Sequence, residues 1–555
     1  MSSNENSGQS NGDRTESRRA YLHRLGAVGL LAGVAGVSAT GRASGTPGVT
    51  GARGVSVTDA GRTLVEDVSR LELGEGLAGI ENGDSVQLQA TQAAVESNSS
   101  PSVVNVQSDL GVEPESDDVW GAIYEHYSSF QPTQRCHKYV IPCGTWHVET
   151  DSIHLDAHEY FGVVGDPYAV LRVTDPDVDL LTFVGSSDDS LPHAQRTEMK
   201  DLRVDIRGDV DAGIGRWYTY GYGHVENVEI RGRRDRRNPE YGGDRHTLKL
   251  SAIRPEATNV ARNVRFNHGD TAYSEAAGPG HAIPFSAEPP HVGTNIWERC
   301  QATGFLDNGF YVSTSTGRNL IVSCLARNNA GANIRLGPDD VVLNSRIVMD
   351  AQPEQPWTGL WLQNGGGQSV MGLRCESTIQ KSTEILRCTQ DGPATISDLH
   401  IEDGGNGGRA IRIQTSGDGR TVFENCSIVD RTTPTAADYA VYVRSSRVTF
   451  RDCRFDVASQ TGVDRNAIIV HSPSAPVDQL TIDDCEISAD DVSLRFARNG
   501  ADHNVTGTIL RSRVTSDSGT TLSRVLWTGN RHYSPVALNG SQDDWQGDFN
   551  WGVDL

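Results

Sequence analysis

Lysine is nearly absent from this 555-residue chain: Lys138, Lys200, Lys249 and Lys381 stand beside 45 arginines. Aromatic residues make up only 6% and apolar residues 36%, while glycine reaches 59. That is thin for a large globular core and ordinary for turn-rich β architecture. Apart from one N-terminal run, no segment approaches the ~18 apolar residues of a membrane helix, so a membrane span is not expected. No CxxC pair, phosphate loop, nucleophile elbow or zinc-ligand spacing occurs, which removes redox, nucleotide, serine-hydrolase and zinc chemistries of those types and leaves no metal ligands to name. Positive charge is also short: 72 acidic residues against 49 basic ones give a net charge of −23. A field of that sign argues against nucleic acid and anionic membranes as partners, since both are bound through basic patches.

What the N-terminus does contain is an address. Ser17-Arg18-Arg19-Ala20-Tyr21-Leu22 opens onto an apolar run from Leu25 to Ala39, followed by small residues up to Ser44. The run is too short to span a bilayer comfortably, and its flanks are those of an export signal. The pattern resembles a twin-arginine signal, which implies a signal peptide at 1–43 and a secreted or cell-surface protein. The acid-rich, lysine-poor composition resembles that of secreted proteins of halophilic archaea, whose hydrated anionic surfaces stay soluble while salt screens their self-repulsion. Export implies an oxidising milieu, yet nine cysteines are an odd number. Cys136–Cys143, Cys300–Cys324 and Cys426–Cys453 are the pairs the spacing permits.

Residues 200 to 530 repeat. One motif, Φ-x-x-[C/Φ]-x-Φ, starts at Trp297-Glu-Arg-Cys300, Ile321-Val-Ser-Cys324, Val342-Leu-Asn-Ser345, Ile396-Ser-Asp-Leu399, Phe423-Glu-Asn-Cys426, Phe450-Arg-Asp-Cys453 and Ile482-Asp-Asp-Cys485. A second places apolar residues on either side of a variable one, as in Phe310-Tyr-Val312, Ile334-Arg-Leu336, Leu360-Trp-Leu362, Ile411-Arg-Ile413, Val441-Tyr-Val443 and Ile468-Ile-Val470. The motifs alternate, so each unit holds two or three short strands that close a core only by stacking. The cysteine position reads as an inward row of small residues, and the Asn or Asp before it as a corner residue bonding backbone. The repeat, together with Tyr139-Val-Ile-Pro-Cys-Gly-Thr-Trp146 as a first coil, resembles the right-handed parallel β-helix, or pectin-lyase-like, superfamily. The resemblance implies an all-β solenoid over 116–530. Asp117-Asp118 caps a short helix, and Trp120, Ile123, Tyr124 and Tyr127 on it plug the open end. A small β segment and linker fill 44–115, with a hairpin between Val68–Gly74 and Ser85–Ala90, and 531–555 serves as an end cap bearing Trp545 and Trp551.

Stacking brings the middle residues of the second motif into one outward column: Tyr311, Arg335, Trp361, Leu386, Arg412, Tyr442, Ile469 and Arg495, with Lys249 earlier on the same kind of face. A neighbouring column reads Ser313, Gln363, Gln414, Arg444 and His471. Arginines alternating with aromatics suit an acidic polysaccharide, because rings stack on sugar faces and guanidinium forks grip carboxylates or sulfates. The segment from Gly232 to Gly293 reads as a long irregular loop and concentrates His268, Asp270, His281 and His291, together with His246, Glu275 and Glu288.

The resemblance implies two chemistries. In lyases of the superfamily a Lys, Arg, Tyr or His removes the proton α to a uronate carboxylate while Ca²⁺ or Arg neutralises it. On this chain that makes Lys249, Tyr311 and Arg335 the catalytic candidates, or a loop histidine the base, and Trp361, Arg412, Tyr442, Arg444 and His471 the substrate contacts. Ca²⁺ is the cofactor this admits. Hydrolases of the fold use paired Asp, but the N-x-D, D-D, G-H-G and R-x-K series of polygalacturonases is missing, for Asp339-Asp340 and Asp483-Asp484 lack their partners. The expected function is therefore binding, and cleavage by β-elimination, of an acidic polysaccharide. A non-catalytic surface or adhesion protein and a glycoside hydrolase are the competing expectations. Oligomeric state is not legible.

Overall fold

The computed structural model describes residues 100–516 except for inter-strand segments 151–152, 156–157, 176–179, 186–193, 207–209, 235–244, 271–281, 352–356, 380–383, 406–407, 416–418, 433–438, 445–446, 460–464, 472–476, 491–492 and 498–504, plus isolated strands on either side. The twin-arginine motif, Trp545 and Trp551 lie outside the described residues. The chain divides into two units, Met1–Asn98 and Ser99–Leu555. No helix among the described residues is long and apolar enough to cross a membrane.

The first unit is a five-stranded antiparallel sheet of Val37–Thr40, Val55–Asp59, Arg62–Val68, Leu77–Asn82 and Ser85–Ala90. The expected hairpin forms around Ser85–Ala90, but its partner is Leu77–Asn82, with Asn82 opposite Ser85. A two-residue connection requires the strand immediately before it, whereas Val68 ends an earlier strand.

The second unit is a parallel solenoid of three sheets. From Arg245–Ala252 to Leu494–Ala497 each strand pairs with the one three places later in the chain, so one coil is three strands. The first sheet holds the second sequence motif, for example Gly331–Leu336 on Trp357–Leu362 on Glu384–Cys388. The first motif covers two sheets and the corner between them: Val477–Asp483 belongs to the second sheet and Glu486–Ala489 to the third. Apolar residues at alternating positions fill the interior, and the aromatic stack Phe266, Phe285, Phe310 shows their spacing, with adjacent ring centroids 4.7 Å apart.

The corner between second and third sheets is left-handed in successive coils, at Asp201, Asn227, Asn263, Arg299, Ser323, Asn344, Gly372, Asp398, Asn425, Asp452, Asp484 and Arg511, where φ lies between 45° and 65° and eight of the twelve residues are Asn or Asp. That conformation selects Asn and Asp among residues with a side chain. Their side chains reach the neighbouring corner instead of the backbone expected from sequence: Asn425 Nδ2 donates to Asp398 Oδ1 at 2.6 Å and Asn227 Nδ2 to Asp201 Oδ1 at 2.8 Å. Coil stacking at about 4.8 Å brings identical positions within hydrogen-bond reach. The next residue points inward, which buries Cys300, Cys324, Cys426, Cys453 and Cys485. None of the nine cysteines forms a disulfide, so none of the permitted pairs is bridged. The row thiols donate to carbonyls of the preceding coil, as Cys324 Sγ does to Trp297 O at 3.1 Å, and burial pushes the Cys324 thiol well above its ordinary range.

The helix Val119–Ser128 closes the N-terminal end. Asp118 Oδ1 accepts from Trp120 N at 3.1 Å, and Val119, Trp120, Ile123 and Tyr127 are buried. Tyr124 differs from expectation: it is 41% exposed, being a quarter turn from Ile123 and facing away from the coil. The segment 232–293 also differs, since it contains the strands Arg245–Ala252, Thr258–Arg262, Arg265–Phe266 and Ala282–Ser286, an ordinary coil with longer connections. Its strand pattern was obscured by His, Asn and Gly at positions that sequence reasoning assigns to loops.

Candidate functional site

The outward column of the first sheet is continuous over thirteen rungs. The pairings run His154, Phe183, Arg216, Lys249, Ser286, Tyr311, Arg335, Trp361, Arg387, Arg412, Tyr442, Ile469 and, by its backbone alone, Arg495, whose side chain lies outside the described residues. One expected member is corrected: Trp361 pairs with Arg387, while Leu386 pairs with Leu360 inside the core. Cys388 occupies the inward position that Leu362 and Ile413 hold in adjacent coils, behaving as a small hydrophobe, and this shifts the reading of Glu384–Cys388 by one residue. The correction adds an arginine to the column.

The middle of the column is an alternating stack. Arg335 lies over Tyr311 at 4.9 Å and over Trp361 at 4.4 Å, and Arg387 covers Trp361 at 4.4 Å. Arg335 Nε donates to Gln363 Oε1 at 2.5 Å, and Trp361 Nε1 to Thr389 Oγ1 at 2.7 Å. Further along, Arg409 lies over Tyr439 at 5.1 Å and Tyr442 at 5.2 Å. These rings and guanidinium planes are half-buried against one another, so their edges, not their faces, remain for a ligand. The neighbouring column follows as Gln363, Thr389, Gln414 and Arg444, linked by backbone bonds between coils. Arg444 is exposed. The backbone of His471 pairs with Ala497; its side chain lies outside the described residues.

Toward the N-terminal end the column enters a polar nest. Lys249 Nζ is 2.5 Å from Glu288 Oε2, His246 Nε2 lies 3.5 Å from Glu288 Oε1, and Ser286 Oγ and His246 Nδ1 are 2.9 Å apart. Burial alone raises Glu288, but the charges of His246, Lys249 and Arg216 outweigh it and hold the carboxyl below its usual range. Burial raises the Tyr311 phenol against the pull of Arg335. Desolvation lowers Arg335, which keeps its charge all the same.

Lys249, Tyr311 and Arg335 thus share one column, with Ser286 between the first two. The loop candidates His268, Asp270 and His291 do not join them. His268 is exposed beyond the third-sheet strand Arg265–Phe266. Asp270 is buried, its Oδ1 accepting from Leu306 N at 3.2 Å. His291 is buried in the connection between first and second sheets, its Nδ1 accepting from Ala252 N at 3.1 Å, and burial lowers it to about 4. His281 lies outside the described residues. Among the described residues no group of three or more His, Cys, Asp or Glu is placed to hold a metal ion.

Sequence reasoning passed over Glu384, Arg387, Arg409 and Tyr439, and it left Glu288 and His246 among undifferentiated loop residues. The first group had a signal: Glu384-Ile-Leu-Arg-Cys388, Arg409-Ala-Ile-Arg-Ile413 and Tyr439-Ala-Val-Tyr-Val443 share one five-residue pattern with two half-buried outward positions.

Comparison with known proteins bears on this architecture. The family model described as right handed beta helix region matches residues 354–510. The chain carries that fold. No curated protein matches it. Similar solved structures include the Agl-KA catalytic domain, at 13% identity and TM-score 0.36, covering 82% of this chain and 71% of that one. PfbA, a surface adhesin of Streptococcus pneumoniae, matches at 10% identity and TM-score 0.37, covering 74% and 93%. The catalytic unit of a GH87 alpha-1,3-glucanase from Streptomyces thermodiastaticus matches at 10% and 0.31, covering 94% and 88%.

Proposed function

We propose that this chain binds an acidic polysaccharide along the outward column of its first sheet. The observation that carries the reading is the local charge. Arg335 lies two coils before Arg387, and Arg409 and Arg412 share the coil after it; among the described residues Glu384 is the one carboxylate in ion-pair contact with the last three, on a protein whose net charge is −23. Stacked rings fix the guanidinium planes, so little rotamer entropy is lost when they grip carboxylates or sulfates.

Cleavage by β-elimination is a second reading, favoured by Lys249, Tyr311 and Arg335 sharing the column. In that reaction a base takes the proton α to the carboxylate, the bond to the leaving oxygen breaks and a carbon–carbon double bond forms. The contacts of the free protein suit carboxylate binding better than proton removal: Lys249 is already ion-paired with Glu288, and a phenol whose pKa is raised holds its own proton and offers no phenolate to act as base. Binding is therefore the primary reading, and a non-catalytic surface protein fits it as well as an enzyme does.

Incubation with alginate, pectate and sulfated glycans tests both. Retained binding without new unsaturated uronate ends supports the binding protein; their release supports the lyase; no binding to any acidic glycan overturns the proposal. A partner outside the cell also requires export, for which the proposed route is the twin-arginine signal. Replacing Arg18 and Arg19 by lysine is expected to leave unprocessed precursor inside the cell; unchanged secretion contradicts that route.

A further inference from the structure

One part of the column is already occupied by the protein's own anion. Glu384 and Arg387 lie on one first-sheet strand, Arg409 and Arg412 on the next, with Glu384 paired to Arg409 and Arg387 to Arg412 across the coils. Glu384 Oε1 accepts from Arg412 at 2.7 Å and from Arg409 at 3.2 Å, while Oε2 lies 3.5 Å from Arg387 Nε. Side-chain exposure is 15% for Glu384 and 25–31% for the three arginines, so the square is recessed but open.

The square is unbalanced in charge and in hydrogen bonds. Three guanidinium groups meet one carboxylate, leaving two positive charges without an ion-pair partner among the described residues. Each guanidinium carries five N–H donors, and a carboxylate offers about four acceptor positions. Gln414 takes one more donor, from Arg412. Trp361, Tyr439 and Tyr442 hold the planes of Arg387 and Arg409, so these side chains cannot swing apart to relieve their repulsion. A fixed excess of forked donors around a single carboxylate is the chemistry of an oxyanion site.

We propose that Arg387, Arg409 and Arg412 form a subsite for an oxyanion carried on a sugar ring, and that Glu384 is its internal competitor, holding the subsite until a ligand anion displaces it. The inference rests on the polysaccharide-binding reading and adds to it the place and the regulation of one contact. The oxyanion is a sulfate ester or a uronate carboxylate, and the two are separated by the probe.

The test is calorimetric titration of the full chain and its variants with dextran sulfate, polygalacturonate and neutral dextran. Glu384→Gln keeps the side-chain length and removes the competing charge, and it is expected to tighten binding of one or both anionic polymers roughly tenfold. Arg412→Ala is expected to weaken it by a similar factor. Neutral dextran reports no change in either variant. Tightening confined to dextran sulfate assigns a sulfate ester, and tightening confined to polygalacturonate a carboxylate. Glu384→Ala, which lacks the amide's own hydrogen bonds, provides a second variant should Glu384→Gln misfold. Unchanged or weaker binding by the folded Glu384 variants, with Arg335→Ala/Trp361→Ala still weakening it, overturns the subsite and leaves the general reading intact. Binding by neither wild type nor variants overturns both.

Discussion

The first and third sheets of this solenoid both carry outward arginines at the same coil spacing, yet they use them differently. On the third sheet Arg346 meets Glu376 at 2.6 Å, Arg374 lies 2.7 Å from Glu376 and 3.3 Å from Glu402, and Arg513 reaches Glu486 at 3.8 Å. Acids alternate with bases there, and Arg346, Arg374 and Arg513 are 53–68% exposed. On the first sheet, aromatic rings take the place of most of the acids, and the arginines are half-buried between them. The second sheet resembles the third: Lys200 bridges Glu198 and Glu226, and Arg262 bridges Glu226 and Glu298. A charge neutralised by its neighbour serves the fold or nothing measurable, since exposed pairs are worth ~0–1 kcal/mol. A charge fixed by stacking and left without a counter-ion is available for a ligand.

The comparison breaks most readily through double substitution. Arg335→Ala with Trp361→Ala removes one guanidinium and the ring between two others, and affinity for an acidic glycan is expected to fall by about 10- to 100-fold, corresponding to ~1–3 kcal/mol. Unchanged affinity removes the column as the binding face. Ionic strength probes the same difference more gently: binding by uncompensated arginines weakens steadily from low to physiological salt as screening shortens to ~8 Å, and salt-independent binding points to ring stacking alone. The smallest effect belongs to the third sheet. Arg374→Ala is expected to leave glycan affinity unchanged and to alter stability by no more than ~1 kcal/mol. A binding loss there, measured in the same titration, erases the distinction between faces.

Much of the fold was legible because it rests on local periodicity. Alternating apolar residues at Ile334 and Leu336 or Ile411 and Ile413 define an inward face, and Asn or Asp at 344, 398, 425, 452 and 484 marks a corner whose backbone few other residues adopt. The register failed at one coil, where Cys388 stands in for an aliphatic residue and Arg387 was mistaken for a core neighbour. The Lys249, Glu288 and His246 nest was less legible, because it joins groups 39 to 42 positions apart on successive coils and their meeting depends on connection lengths that no short motif records. The cysteine row shows the same limit: spacing allowed bridges, whereas the structure leaves the buried thiols unbridged. Thiol labelling of the folded protein is therefore expected to reach the exposed Cys143 and to spare Cys300, Cys324, Cys426, Cys453 and Cys485 until denaturant is added.

The central claim is spatial, and hydroxyl-radical footprinting of the full chain with and without an acidic oligosaccharide tests it directly. The account predicts protection of Tyr311, Trp361 and Tyr442 on the first sheet, with oxidation of the third-sheet face unchanged. Protection of the third sheet, with those three aromatic residues still oxidised at the unliganded rate, would contradict it.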